Sequence, residues 1–501
     1  MEVDSLEDDC VLPSEVQDYA VCPHGPMLLF SKQKDGRTYY ACSASRDRKL
    51  CPFFLFADKK APSAETRRIW KESIDAENLK SSSAESDLLR LKLIKSQAPN
   101  ERSFCREPSC STFVLPDEQG LHQNHRLCKK VTDRQLKRPM ELLLPLEDPK
   151  LNAQFIFDDK SVGVISNILD ELKLHNVICL GAPRVHETVK SKSPFRSFLL
   201  DIDLRFQRFF SPRIYARFNM FNAHFYSAES ASAFREFLAS CPTPPVIVVD
   251  PPFGGRVHPL FATMRSISDA WLEARKLDKD SPEAKSASLN QIAGNTPEDA
   301  GFLLPTFWAF PYFLEHSVKK ERPEFQMLDY KVLYKNHPMF QNEKEGSKNK
   351  GSPIRLLTNV KPSLVHLPEP DHKFCSAPEC NRWVSRANRH CGKCGTCPSK
   401  DGSTYTHCDV CQKCVKPSRV HCDSCGRCEP ATHFCAPTKN KNEEGKTEGE
   451  EEDGDNANGV DEKCFNCGNP GHKRRHCPQN WAGGKRKKPQ GKKGGGKKAK
   501  K

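Results

Sequence analysis

The sequence predicts an α/β protein, a parallel, doubly wound sheet flanked by several small zinc-binding modules. Three observations predict it. The apolar β-branched run Val246 to Val249 stops at Asp250-Pro251-Pro252-Phe253, which marks a buried strand, because proline has no N–H with which to continue a ladder. Strand-like and helix-like patterns alternate between residues 140 and 338, the order expected of βαβ units. Finally, the 24 cysteines fall largely in C-x2-C-like pairs interleaved with histidines, a metal-ligand pattern of a reducing compartment rather than a disulfide framework.

Composition limits the remaining possibilities. With 38 prolines and 28% charged residues in 501, one sizeable core with linkers and small modules is expected rather than several large domains. The longest nearly apolar run, Phe302 to Leu314, contains two prolines and falls short of the roughly 20 residues that span a bilayer. A soluble, intracellular protein with no membrane partner is expected. Of the formal charge of +14, ten positive charges lie in Lys485 to Lys501. Such a Gly/Lys tail (482–501) cannot bury a core, and is read as a polyanion-binding segment and a nuclear or nucleolar address.

From the N-terminus, residues 18–58 form the first module. Cys22, His24, Cys42 and Cys51 offer a tetrahedral ligand set, and the segment resembles the GRF-type zinc finger, a single-strand nucleic-acid binder in other proteins. Lys32, Lys34, Arg37, Arg46 and Arg48 interleaved with Phe30, Tyr39 and Tyr40 supply the phosphate-and-stacking composition that unpaired strands prefer. Residues 59–103 read as a polar linker with one helix. In 104–130, Cys105, Cys110 and His122 are completed by either His125 or Cys128, giving a second finger of nearly C2H2 spacing.

The large domain, 140–338, is expected to contain a helix at 162–172, strands at 177–181 and 198–202, an aromatic strand near 217–225, a helix at 228–238 and the Val246 strand. A strand, a helix and a final strand then complete the sheet. In open α/β sheets the ligand lies beyond the carboxyl ends of the strands, which places Asp250, Pro251, Pro252 and Phe253 at the chemistry. An exocyclic amine such as adenine N6 has its lone pair delocalised into the ring. Acceptors on its hydrogens, here Asp250 and the Pro251 carbonyl, help it turn towards a methyl donor, and Phe253 offers a stacking face worth about 1–3 kcal/mol.

The tetrapeptide Asp250-Pro251-Pro252-Phe253 resembles the (D/N/S)PP(Y/F/W) signature of S-adenosylmethionine-dependent amino-methyltransferases, and the strand order resembles class I, Rossmann-like methyltransferases. That resemblance implies S-adenosylmethionine as cofactor and Gly181 with Arg184 in the place of the glycine-rich loop. Asp201 or Asp203 would be the acid for the ribose hydroxyls, and Asn219 and Met220 would flank the adenine. Gln154, Phe155, Ile156 and Phe157 would form the aromatic segment before it, where a ring beside a sulfonium gains cation–π attraction. The full G-x-G-x-G is absent.

After a linker at 341–353 comes an interleaved Cys/His region, 372–436, in which Cys375 to Cys435 carry twelve cysteines and four histidines, ligands for four sites. One interleaving groups Cys375, Cys380, His390 and Cys397; then Cys391, Cys394, His407 and Cys414; then Cys408, Cys411, His421 and Cys428; and last Cys422, Cys425, His433 and Cys435. The ladder resembles the cysteine-rich domain of DHHC palmitoyltransferases without their tetrapeptide or membrane helices. These are closed, structural sites. An acidic linker at 440–460 precedes Cys464, Cys467, His472 and Cys477, which match the zinc knuckle (462–479), a binder of unpaired RNA bases. About seven structural Zn2+ ions are expected.

The whole arrangement resembles the CCHC zinc-finger ribosomal RNA N6-adenosine methyltransferases of animals. The resemblance implies large-subunit rRNA as substrate and nucleoli as location; a loop adenosine as target, ribosome-biogenesis or translation proteins as partners, a monomer, and the cytoplasm as an alternative location are further expectations. Two alternatives stand beside it: methylation of a protein glutamine amide, and an inactive RNA-binding scaffold.

Overall fold

The computed structural model describes residues 10–11, 20–31, 36–45, 48, 51–58, 62–81, 84–146, 154–252, 256–282, 284, 301–337 and 352–433. Contacts divide the chain into two units, one of residues 1–390 with 395–402, the other of residues 391–394 with 403–501.

The first unit is built on one mixed sheet. Its strands are β1 (Asn176–Leu180), β2 (Arg196–Asp201), β3 (Tyr215–Asn219), β4 (His224–Phe225), β5 (Val246–Val249), β6 (Thr306–Pro311), β7 (Gln326–Leu328) and β8 (Ile354–Thr358). Their spatial order is β4-β3-β2-β1-β5-β6-β8-β7. Strands β3, β2, β1, β5 and β6 run parallel, and β4, β8 and β7 pair antiparallel at the edges. Along β1, Val177 and Cys179 pack into one core while Ile178 and Leu180 pack into the other. Strands covered on both faces need such continuous apolar runs, and each fully buried Val, Leu or Ile contributes about 1.5–3 kcal/mol.

Helices follow from local signals. Asp158 caps α1 (Asp159–Glu171) by accepting from the Ser161 N–H at 2.7 Å, and Pro183 opens α2 (Pro183–Lys190), each at the end where N–H groups lack partners. Ser227 caps α3 (Ala228–Ala239). The 19-residue α4 (Val257–Arg275) buries Leu260, Phe261, Met264, Ile267, Trp271 and Leu272, and α5 (Glu315–Glu321) follows β6.

Most predicted elements appear within two residues or so. The sequence reading omitted α4, although its buried positions recur at helical spacing. It also placed one helix in 59–103, where two form, Ala64–Ser81 and Ala84–Ser96. The sheet does not end at residue 338, because β8 inserts between β6 and β7. Leu356 and Leu357 of β8 are buried one on each face, a position that local pattern cannot reveal. No helix among the described residues is long and apolar enough to cross a membrane.

Candidate active site and zinc centres

Parallel register brings the ends of β1, β2 and β5 level, while β3 runs two residues further. Leu180 lies opposite both Leu200 and Val249, so Gly181, Asp201 and Asp250 emerge side by side, with Asn219 ending β3 and Met220 just after it. The chain order reverses between β1 and β5, which opens a crevice there. A cavity of about 1190 Å³ occupies it, lined by Gln154, Phe155, Gly181, Asp201, Asp203, Asn219, Met220, Asp250, Pro251 and Pro252. Phe253 and the two glycines after it lie outside the described residues.

Gly181 has φ +65°, and a Cβ there would lie 2.9 Å from the Asp250 carbonyl oxygen. A side chain is excluded by both conformation and space, so this single glycine performs the close approach for which a glycine-rich loop is normally used. Burial, then the neighbouring Asp203 charge, push Asp201 up to about 7. Asp201 accepts the Asp203 N–H at 2.9 Å and makes no ion pair among the described residues. Asp203 instead is locked to Arg205 at 2.7 Å and accepts from Gln154 Nε2 at 3.2 Å. Of the two acids, Asp201 is the one left for ribose hydroxyls.

Other assignments change. Arg184 turns away from the cavity and pairs with Asp159 and, at 3.3 Å, with the buried Glu187. Ile156 and Phe157 are core residues; Phe157 packs against Tyr334 with ring centroids 5.2 Å apart. Extended backbone alternates its side chains, so Phe155 alone of that pair of aromatics reaches the cavity, backed by His337 at 4.3 Å. Asn219 gives its amide to the His24 carbonyl (2.8 Å) and Ser43 Oγ (2.7 Å), so it holds the first finger.

Asp250 accepts a hydrogen bond from the Tyr334 hydroxyl at 2.9 Å. Burial raises its carboxyl well above the usual range, the Tyr334 hydrogen bond opposes that rise, and the Asp201 charge adds to it. Tyr334 was not legible as a site residue; it lies 84 positions away in sequence and no local motif marks it.

The first finger forms the other wall. In register across its sheet, Phe30 pairs with Tyr39 and Tyr39 with Phe56, so these rings and Phe54 share a face, and that face lines the cavity. Phe30 and Tyr39 stack at 5.3 Å, Tyr39 and Phe54 at 5.0 Å. Arg48 lies over Phe54 at 4.0 Å and Arg256 over Phe30 at 4.9 Å. Lys32, Lys34 and Arg46 lie outside the described residues. Docking is specific: Asn222 Nδ2 donates to the His24 and Pro26 carbonyls at 3.0 and 2.7 Å. Gly25 packs so closely on His224 that a Cβ would meet its ring at 2.4 Å.

Among the described residues, ligand sets with their donor atoms within 4.8 Å of one another include Cys22, His24, Cys42, Cys51; Cys105, Cys110, His122, His125; Cys375, Cys380, His390, Cys397; Cys391, Cys394, His407, Cys414; and Cys408, Cys411, His421, Cys428. Four soft and borderline donors at that spacing fit tetrahedral Zn2+. In the second finger His125 completes the set. Cys128 stays outside it, on the strand Leu127–Lys129 paired to Ser103–Cys105, whose pairing fixes its direction. In the second unit, backbone N–H groups of the Cys-x2-Cys turn, Cys394's first, draw Cys391 down to about 6, the thiolate form that zinc requires. Cys425 Sγ lies 3.6 Å from His433 Nε2. Cys435, the knuckle ligands Cys464, Cys467, His472 and Cys477, and the basic tail lie outside the described residues.

Residues 148–337 match the family model described as a probable N6-adenine methyltransferase. Over 473 residues the chain is 38% identical to the rRNA N(6)-adenosine-methyltransferase ZCCHC4 of Homo sapiens, covering 91% of this chain and 82% of that protein. The protein of the same name in Mus musculus is 38% identical over 384 residues, 74% of this chain and 69% of its own length. That of Xenopus laevis is 37% identical over 398 residues, 76% and 74%.

Proposed function

Because the chain belongs to the rRNA N6-adenosine-methyltransferase family, we propose that its cavity transfers a methyl group from S-adenosylmethionine to N6 of an unpaired adenosine in rRNA. The observation that carries this reading is Asp250, set at the end of β5 in one cavity with Gly181 and Asp201.

The residues present fit the cofactor. Gly181 removes the Cβ that would fill the strand-end cradle, Asp201 offers an acceptor for ribose hydroxyls, and Phe155 presents a ring to the same space. When bound, S-adenosylmethionine supplies an activated methyl on a sulfonium. The chain's own part is placement and proton handling. Asp250 and the Pro251 carbonyl accept the N6 hydrogens, which frees the lone pair, and the proton that N6 loses passes to Asp250. A carboxylate whose pKa is raised by burial is the better acceptor for it.

The finer reading is an adenosine in a loop of large-subunit rRNA, with nucleolar location. Extruding a base costs a few kcal/mol from a stack and less from a loop. The finger's aromatic face, flanked by Arg48 and Arg256, supports an unpaired strand at the cavity mouth. Phe253 is proposed as the stacking partner of the target base. An amide substrate would leave that face without a role.

The test is labelled methyl transfer to RNA by wild type and Asp250→Ala, followed by nucleoside analysis. N6-methyladenosine formed by the wild type alone is expected, with RNA retention unchanged. Equal transfer by the mutant refutes the site, and label in protein instead of RNA refutes the substrate.

A further inference from the structure

We propose that Tyr334 is a positioning residue for the methyl transfer, its hydroxyl fixing one carboxylate oxygen of Asp250 so that the other is presented to the adenine amine. The proposal rests on the role given to Asp250 above and extends it to a residue outside the Asp-Pro-Pro-Phe motif.

The geometry is specific. Among the described residues Asp250's carboxylate has this one side-chain donor, at 2.9 Å. Tyr334 is fully buried, and its ring is wedged between Phe157 (5.2 Å) and Phe155 (6.2 Å). Its backbone is pinned on both sides. Tyr334 bridges to Phe157, and the Lys335 N–H donates to the Ile156 carbonyl at 2.7 Å. Asn336 then clamps the facing segment, accepting the Ile156 N–H at 2.8 Å and donating to the Gln154 carbonyl at 2.7 Å. A phenol held by so many contacts cannot follow Asp250 if the carboxylate rotates, so it selects one orientation.

The contact also bears on charge. Asp250 faces Asp201 and Tyr334, with Asp203, Arg48 and Arg256 on the cavity wall and His337 behind Phe155. Burial and Asp201 both oppose ionisation of Asp250, and the Tyr334 hydroxyl favours it. Burial and the Asp250 charge hold the phenol's own pKa well above its usual value, so Tyr334 remains a donor over the working range. Without it, Asp250 ionises at a higher pH, and transfer that needs the carboxylate loses rate on the acid side.

The test is Tyr334→Phe in the full chain, assayed on in-vitro-transcribed rRNA beside wild type and Asp250→Ala. A hydrogen bond to a charged group, once lost, lowers kcat by about ten- to a hundredfold. The expected pattern is that loss, KM for RNA and for S-adenosylmethionine within about twofold, and an acid limb of the pH–rate profile moved to higher pH, so that raising the pH restores part of the rate. Replacement of Tyr334 by 3-fluorotyrosine keeps the ring and sharpens the donor; it moves the acid limb the opposite way and serves if Tyr334→Phe folds poorly. Wild-type kcat and an unmoved acid limb in both variants overturn the proposal. So does a loss traced wholly to cofactor affinity or melting temperature, which marks a structural role. If wild type itself places no methyl on RNA, the failure lies with the proposed function.

Discussion

Replacing Gly181 by alanine is expected to damage the fold and cofactor binding together. The added Cβ meets Met220 Cε at 2.5 Å and the Asp250 carbonyl oxygen at 2.9 Å. The methionine end can swing aside. The carbonyl cannot, because the Asp250 N–H is bonded to the Leu180 carbonyl at 3.0 Å and Val249 is paired in the sheet. A left-handed φ of +65° adds about 1–2 kcal/mol for a residue with a Cβ, and overpacking of a rigid contact adds about 1–3 kcal/mol. The sum, about 2–5 kcal/mol, corresponds to a fall of roughly 5–15 °C in melting temperature. The strain falls on Asp250 and the strand-end cradle together, so both affinity for S-adenosylmethionine and turnover should drop. Thermal unfolding, cofactor titration and methyl transfer on the purified variant check this. Alanine at 181 with wild-type affinity and melting temperature would refute the argument that this glycine replaces a full glycine-rich loop.

Arg184→Ala breaks a largely buried ion pair with Glu187 and should cost about 3–5 kcal/mol, less where Glu187 protonates instead, since burial already lifts it to about 7; affinity for S-adenosylmethionine should stay near wild type, which titration decides. His125→Ala should lower zinc content by one ion per chain while Cys128→Ser leaves it unchanged, as elemental analysis would show. For Asp201, raised to about 7, only the carboxylate accepts both ribose hydroxyls, so cofactor affinity should rise from about pH 6 to pH 8. Its contribution to the stability of the unliganded fold has the opposite sign, present in full below about pH 4 and lost progressively as pH climbs to about 7. Calorimetric titration and melting curves across that range measure the two separately.

The sheet was legible because covered strands leave an unmistakable trace: Val246 to Val249 and Val177 to Leu180 bury every side chain, so their apolar runs have no polar interruption. Ligand sets were legible for a similar reason, since zinc accepts few residue types and short turns fix their spacing; three sets of the ladder formed with the pairing that spacing suggested. Direction was harder to read. Arg184, Asn219 and Cys128 each stand at a plausible position in sequence, yet one faces an ion pair, one faces the finger and one is turned by strand pairing. Tyr334 and Asn222 were invisible because their partners are far away in the chain, and long-range contacts write no periodicity into the residues that make them.

Asn219 and Asn222 grip the backbone of a zinc ligand, His24, and the finger they hold supplies an aromatic wall of the cavity. The division into finger and catalytic domain that sequence suggests is therefore not a division of labour. A fragment cut at residue 140 would keep every residue of the Asp-Pro-Pro-Phe loop and lose the finger's wall of its enclosure, so its inactivity would say nothing about the loop. Metal supply acts upstream of chemistry in the same way. A chain stripped of the zinc in its first finger would lose one wall of the site while every residue of the Asp-Pro-Pro-Phe loop stayed in place.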